Sequence, residues 1–367
     1  MKRHGRLKVF FSYAAGAGKT YRMLEEAQDH KKNGVDIVIG YFEPHGRKDT
    51  IAKAEGLELI PRKRMEYRGT WFEEMDTEAI LKRAPAVCVV DEFPHTNVPG
   101  SERVKRWEDV MILLDAGVDV LTTMNLQHLE SINDQIWQIT GIRVRETVPD
   151  WVIKQADEIV LVDVTPEALI NRLKRGAIYA PDKAEKALEN FFREQSLVAL
   201  RELALRQTAH EVEVRHETPK STDRLLIHVT SDPAAAMLIR RGRRVADYLR
   251  AECFAVYVSE MGDIRDLPPL KREAIDRHLN FARNLRIETR ILQGRHLASV
   301  LAEFAHREHI TQLFLMRSPR SAWKLFAGHG LASQVLRIAE DLQITIVADR
   351  SAGQSLSLRE RVARSAG

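Results

Sequence analysis

The residues richest in chemistry are Gly16, Ala17, Gly18, Lys19 and Thr20, which come shortly after the apolar run Leu7–Phe11. Glycine at two of these positions lets a backbone turn tightly, take positive φ and approach a ligand closely. Such a turn between a buried strand and a helix points its N–H groups inward, and the helix N-terminus adds the positive end of its dipole. That is phosphate-cradling chemistry. Lys19 is placed to reach the β- and γ-phosphates of a nucleoside triphosphate, and the Thr20 hydroxyl to ligate Mg²⁺. One departure stands out. The usual spacing starts with glycine where this chain has Tyr13.

A second signal is Ala86-Val87-Cys88-Val89-Val90-Asp91-Glu92, an apolar strand ending in two acids. The expectation is a strand beside the phosphate loop. Asp91 would hold Mg²⁺ through water or Thr20, and Glu92 would orient or activate an attacking water. Alone, the pair would read as a solvated turn; beside a phosphate loop it reads as part of a site. Ligands in parallel sheets bind at the carboxyl ends of strands. Arg47, in Glu43-Pro44-His45-Gly46-Arg47, and Asn125, Gln127 and His128 all follow predicted strands, so they are candidates for sensing phosphate or positioning a partner. His95 is a further candidate for the same site. The competing reading makes Arg47, Asn125, Gln127 and His128 surface loop residues with local hydrogen bonds. No Cys/His group has zinc spacing, and no Ser-His-Asp arrangement presents itself.

The elements that must position these groups are legible from hydrophobic pattern. The runs Leu7–Phe11, Asp36–Phe42, Ala86–Val90, Val118–Thr123 and Glu158–Val162 are nearly continuous, as strands buried on both faces must be. Helical patterns at Thr20–Lys32, Val104–Ala116 and Leu129–Ile139 lie between them. This alternation predicts an α/β fold with a parallel sheet. One long helix is predicted from Pro181 to about His210, then a polar linker over 211–222. A second alternation has strands at 224–229, 254–258, 286–291, 312–316 and 344–348, with helices near 233–250, 271–284, 295–308 and 329–341. It predicts a small doubly wound sheet. The expected organisation is a nucleotide-binding domain over 1–210, the linker, a second domain over 223–350 and a flexible tail over 351–367.

Bulk properties narrow the classes. A chain of 367 residues exceeds one ordinary core. The balance of 56 basic and 52 acidic residues gives a net charge of +4, too mild by itself to argue for nucleic acid. The two cysteines, Cys88 and Cys253, sit in apolar runs, which fits core packing and a reducing compartment. The basic, apolar N-terminus imitates a signal peptide, but Lys8 breaks it and it runs straight into the phosphate loop. No stretch approaches the ~20 apolar residues of a membrane span, so a cytoplasmic chain without direct membrane insertion is expected.

Several strings carry a resemblance. They are the loop at 12–20, Gly40-Tyr41-Phe42-Glu43-Pro44-His45-Gly46-Arg47, Glu66-Tyr67-Arg68-Gly69, Val90 to Ser101, Lys105-Arg106-Trp107, Asn125 to Ser131, Val144 to Asp150 and Leu188-Glu189-Asn190-Phe191-Phe192. Over roughly residues 5–210 the chain resembles the cytoplasmic N-terminal domain of the KdpD family, sensor histidine kinases of potassium uptake. That family also lacks glycine at the place of Tyr13, and usually has proline where Ala15 stands. The second half looks like the universal-stress-protein domain that follows in the family, through Ser231-Asp232-Pro233 and Leu238 to Arg244. The resemblance implies ATP with Mg²⁺ in the first domain and a partner in the potassium-uptake system, either a histidine kinase core or a transporter. It also implies cyclic di-AMP as an alternative ligand of the second domain, gripped by Arg240, Arg241, Arg243, Arg317 and Arg320 with Ser318, Ser321 and Trp323. The competing reading there is a solvated basic helix and loop. Only Gly330 survives of the glycine signature in ATP-binding stress proteins, which argues against ATP in that domain. Such domains often dimerise, so a homodimer is a further expectation.

Longer family members continue into membrane helices, a sensing domain and a kinase core. None is found here, so the chain is expected to be a fragment or a naturally short relative, and not itself a histidine kinase. Hydrolysis is expected to be slow, since Glu92 is the one water activator visible and no arginine finger stands out. The rival reading is a phosphotransferase acting on a small acceptor. No base-reading motif separates ATP from GTP.

Overall fold

The computed structural model describes residues 3–44, 46–176, 178, 191–215, 222–260, 264–317, 330–339 and 341–348. The chain divides into two compact units, Met1–Glu217 and Thr218–Gly367.

The first unit opens with β1 (Leu7–Ser12), α1 (Lys19–Lys32), β2 (Ile37–Tyr41), α2 (Lys48–Ala54) and β3 (Glu58–Leu59). An antiparallel hairpin follows, β4 (Lys63–Tyr67) and β5 (Thr70–Glu74), then α3 (Thr77–Arg83), β6 (Val87–Val90), α4 (Arg106–Asp115) and β7 (Asp119–Asn125). Two single 3₁₀ turns, Leu126–His128 and Glu130–Ile132, lead to α5 (Asn133–Thr140), α6 (Asp150–Lys154), β8 (Glu158–Leu161), α7 (Pro166–Lys174) and α8 (Glu194–Arg215). The strands β3-β2-β6-β7-β1-β8 form one parallel sheet in that order.

Alternation along the strands explains the layers. Leu7, Val9 and Phe11 enter one buried cluster with Val38, Cys88 and Val90, while Phe10 enters another with Ile39, Val89 and Leu121. Met23, Leu24 and Ala27 of α1, spaced for one helix face, pack into the second cluster. Local chemistry sets the ends of helices. Asp76 caps α3 by accepting the Ala79 N–H at 2.9 Å, and Thr165 caps α7 ahead of Pro166.

Two differences from the sequence pattern are instructive. The β4–β5 hairpin was not expected, because its strands are mostly exposed and lack a continuous apolar run. Its turn is Arg68-Gly69, both at positive φ, which suits the twist of a tight hairpin. The predicted long helix also shifts. Phe191 and Phe192 lie in a turn, and α8 runs on to Arg215, inside the stretch read as a linker. No Gly or Pro falls between Glu194 and Arg215 to stop it. Residues 179–190, the 216–221 part of the linker and the 351–367 tail lie outside the described residues.

The second unit contains β9 (Arg224–His228), α9 (Ala235–Leu249), β10 (Glu252–Ser259), α10 (Pro269–Asn284), β11 (Glu288–Gln293), α11 (Leu297–Arg307), β12 (Gln312–Met316), α12 (Leu331–Leu336) and β13 (Gln343–Val347). Its sheet is parallel, in the order β11-β10-β9-β12-β13. Helices cover both faces. Residues of α9 and α10 pack with Leu225 and Ile227, and residues of α11 with Leu226 and Leu313. This is the doubly wound arrangement that the pattern predicts.

Candidate functional site

The loop between β1 and α1 has the backbone that phosphate binding needs. Gly16 has φ +84° and Gly18 has φ +101°, and Gly18 is the N-cap residue of α1. A Cβ on Gly16 would stand 2.2 Å from Ile178 Cδ1, so no larger residue fits that spot. Tyr13 does not have positive φ, so glycine is not required where the usual spacing has it. The Tyr13 side chain is fully buried instead, and its hydroxyl donates to the Val164 carbonyl at 2.6 Å, tying the loop to the chain after β8. From the other side, Arg172 of α7 donates to the Gly16 and Ala17 carbonyls at 2.9 and 3.2 Å.

Lys19 is buried, and its ammonium reaches Asn125 Oδ1 at 2.5 Å, Ser12 Oγ at 3.1 Å and the Ala14 carbonyl at 3.4 Å. Burial pulls its pKa down to about 8, opposed by the Asp91 charge and assisted by Arg47. The Thr20 hydroxyl donates to Asp91 at 3.2 Å. Hydroxyl and carboxylate so joined are hard oxygen donors suited to a bridging Mg²⁺, and the residues present therefore fit that ion. Among the described residues there is no cluster of three or more His, Cys, Asp or Glu that would hold a metal unaided.

The expected adjacency of the two signature strands is corrected by the sheet order. β7 lies between β6, which leads to Asp91, and β1, which leads to the glycine-bearing loop. The intervening strand is what joins them. Thr123 of β7 donates to Asp91 Oδ1 at 2.5 Å, and Asn125 at its end accepts from Lys19. Burial raises the Asp91 pKa; the Thr123 hydrogen bond opposes that and the neighbouring Glu92 adds to it. Ser12 and Thr123 were not singled out from sequence, because a serine or threonine at a strand end carries no pattern of its own.

The loop opens onto a cleft of about 440 Å³. Lys19, Thr20, Asp91 and Glu92 line it, and so do all five loop candidates, Arg47, His95, Asn125, Gln127 and His128. Glu146 and Ile178 also line it and were not anticipated. Glu43 turns elsewhere, accepting from the Tyr41 hydroxyl at 3.2 Å, and His45 lies outside the described residues.

Glu92 has φ +56°, a left-handed conformation that costs a residue with a side chain about 1 kcal/mol or more. Such strain is characteristic of functional turns. Its carboxylate stands 3.9 Å from Arg106, a fully buried arginine at the start of α4. Arg106 donates to the Asp91 carbonyl and to Glu74, both at 3.2 Å, and its guanidinium lies 3.6 Å from the Tyr41 ring centroid. Its Nε is buried without a partner. Glu74 also meets His95 Nε2 at 3.0 Å and accepts the Val98 N–H at 2.9 Å. Burial alone would raise the Glu74 pKa, but His95, the Val98 N–H and Arg106 outweigh it and hold it low.

The family described as KdpD, "Osmosensitive K+ channel His kinase sensor domain", matches residues 3–212. The chain belongs to the KdpD family. It is 42% identical over 360 residues to a KdpD sensor protein of Synechocystis, covering 95% of each chain. Against the sensor protein KdpD of Escherichia coli it is 42% identical over 354 residues, covering 94% of this chain and 39% of that one. A universal stress protein solved with cAMP is similar to 35% of the chain, at 15% identity and a TM-score of 0.29. Every residue lining the cleft falls within the KdpD match. None of the described helices is long and apolar enough to cross a membrane.

The arginines predicted for the second unit divide. Arg243 pairs with Asp247 one turn along α9, and Arg240 lies over the Phe281 ring of α10 at 4.9 Å. Arg241 and Arg317 are exposed. Ser318, Arg320, Ser321 and Trp323 lie outside the described residues. Cys88 and Cys253 are buried free thiols, pushed up to about 12 by burial, which suits packing.

Proposed function

We propose that the first unit is a cytoplasmic ATP-binding regulatory module of a KdpD-type potassium-responsive system, and that its nucleotide state is passed to a signalling partner. The observation that supports this most is the Lys19–Asn125 and Thr20–Asp91–Thr123 set of contacts, which assembles both signature segments around one cleft. In this reading Lys19 releases Asn125 and the Ala14 carbonyl to meet the β- and γ-phosphates, while loop N–H groups hold the rest of the chain of phosphates. Thr20 and Asp91 hold Mg²⁺, whose charge would offset that of the phosphate oxygens. Glu92 orients water at the far end. Arg106 offers a route outward, because it touches Asp91 and Glu92 at the site and Glu74 at the β4–β5 hairpin.

Calorimetric titration of ATP·Mg²⁺ into the wild type and Lys19→Ala tests the reading. Binding by the wild type that falls at least 100-fold in the variant is the expected outcome. A wild-type protein that takes up no nucleotide would end it. The second-unit alternative, a cyclic di-AMP receptor, would draw on the exposed Arg241 of α9, since Arg240 and Arg243 already have partners.

A further inference from the structure

Glu92 is not the only group in the cleft that could receive a proton. His128, at the end of the 3₁₀ turn after β7, lines the same wall as Lys19, Asp91 and Glu92. Its Nδ1 stands 2.7 Å from the backbone carbonyl of Glu146. A carbonyl can only accept, so Nδ1 must carry the proton, and in the neutral ring the lone pair falls on Nε2. The Gln127 amide nitrogen, a donor, lies 3.5 Å from that Nε2, consistent with the assignment. The placement is braced. The Val148 N–H donates to the His128 carbonyl at 2.7 Å, and Leu129 bridges Val148 in parallel, so the segment 126–130 is pinned against 146–148. Burial also holds the imidazole below its ordinary range, which keeps it neutral; Glu146, Lys19 and Glu92 are the charges around it.

We propose that His128 is the general base of the cleft, a catalytic residue for hydrolysis of bound ATP, with Glu92 left to orient the nucleophile. The contrast with Glu92 is the reason. The Glu92 carboxylate has the Arg106 guanidinium 3.9 Å away as an ion-pair partner, whereas His128 has its Nδ1 engaged by a carbonyl and so carries its lone pair on Nε2. The step balances. Water oxygen bonds to the γ-phosphorus as His128 Nε2 takes one water proton; the bond from the γ-phosphorus to the β,γ-bridging oxygen breaks and ADP leaves. His128 then returns its proton to solvent.

This inference rests on the ATP reading above, and the tests separate the two. His128→Asn keeps an amide N–H for the Glu146 carbonyl and removes the base. Its ATP affinity by calorimetry should stay within threefold of wild type, while single-turnover ADP formation slows by about 100-fold or more. Imidazole added to His128→Ala should restore part of the rate, which a purely structural role would not allow. Independently of turnover, imidazole ¹⁵N spectra of the nucleotide-free protein should show His128 neutral with its proton on Nδ1. ATP binding with an unchanged rate in His128→Asn, or a proton on Nε2, overturns the assignment while leaving the binding site standing. Failure of the wild type to bind ATP removes both.

Discussion

At the scale of single residues, the loop between β1 and α1 is a set of tight tolerances. Gly16 is confined twice, by φ +84° and by Ile178 2.2 Å from where a Cβ would be. Gly16→Ala therefore meets a left-handed backbone cost of about 1–2 kcal/mol and must also displace Ile178. We expect ATP affinity in calorimetry to drop at least tenfold, since the loop N–H groups move with the backbone. Adding Ile178→Ala should recover only part of that loss, because the φ cost remains. Full recovery would show that the clash alone matters. Tyr13 shows the opposite case. The missing glycine is harmless because this position is not left-handed, and the side chain serves as an anchor to Val164.

Elements meet at Arg106. It starts α4, yet it touches the residue after β6 through the Asp91 carbonyl, β5 through Glu74 and β2 through the Tyr41 ring. Removing one partner of a buried ion pair leaves the other charge stranded and costs about 3–5 kcal/mol. Arg106→Met should therefore lower denaturant stability by that order, measured on the full chain by far-UV circular dichroism. Glu74→Gln together with Arg106→Met should lose less than Arg106→Met alone, because the buried Glu74 carboxylate would otherwise keep only His95 and the Val98 N–H as partners. A double variant as unstable as the single one would mean that Arg106 acts through packing on Tyr41 and not through charge.

For the molecule as a whole, stability should fall with acid, and the second unit supplies a specific reason. His228, buried in the central strand β9, has its pKa lowered from 6.5 to about 4 by burial. The folded state thus favours the neutral ring. Its contribution is complete above about pH 6.5 and is lost as pH falls from there towards 4. Between pH 7 and pH 5 the loss amounts to about 2 kcal/mol. Chemical denaturation at the two pH values should show it, and His228→Leu should shrink the difference by that amount. An undiminished difference in the variant would trace the acid sensitivity to other groups.

Sequence alone determined most strands of the two parallel sheets, the glycine-bearing loop and the acidic pair, because each is written in contiguous residues. A strand buried on both faces must be an apolar run, and a loop that cradles phosphate must carry glycine before Lys19 and Thr20. The same locality made Arg47, His95, Asn125, Gln127 and His128 visible as residues after strands. Sequence could not show that these five share one cleft, since that depends on sheet order. Nor could it place β7 between β6 and β1, which turns Thr123 and Asn125 into the links between Asp91 and Lys19. Strand order is set by packing between segments far apart in the chain. The β4–β5 hairpin escaped for a related reason, its exposed strands lacking an apolar run to mark them. The tautomer of His128 was out of reach too, because it is fixed by a carbonyl 18 residues away that only the tertiary structure brings to hydrogen-bond distance.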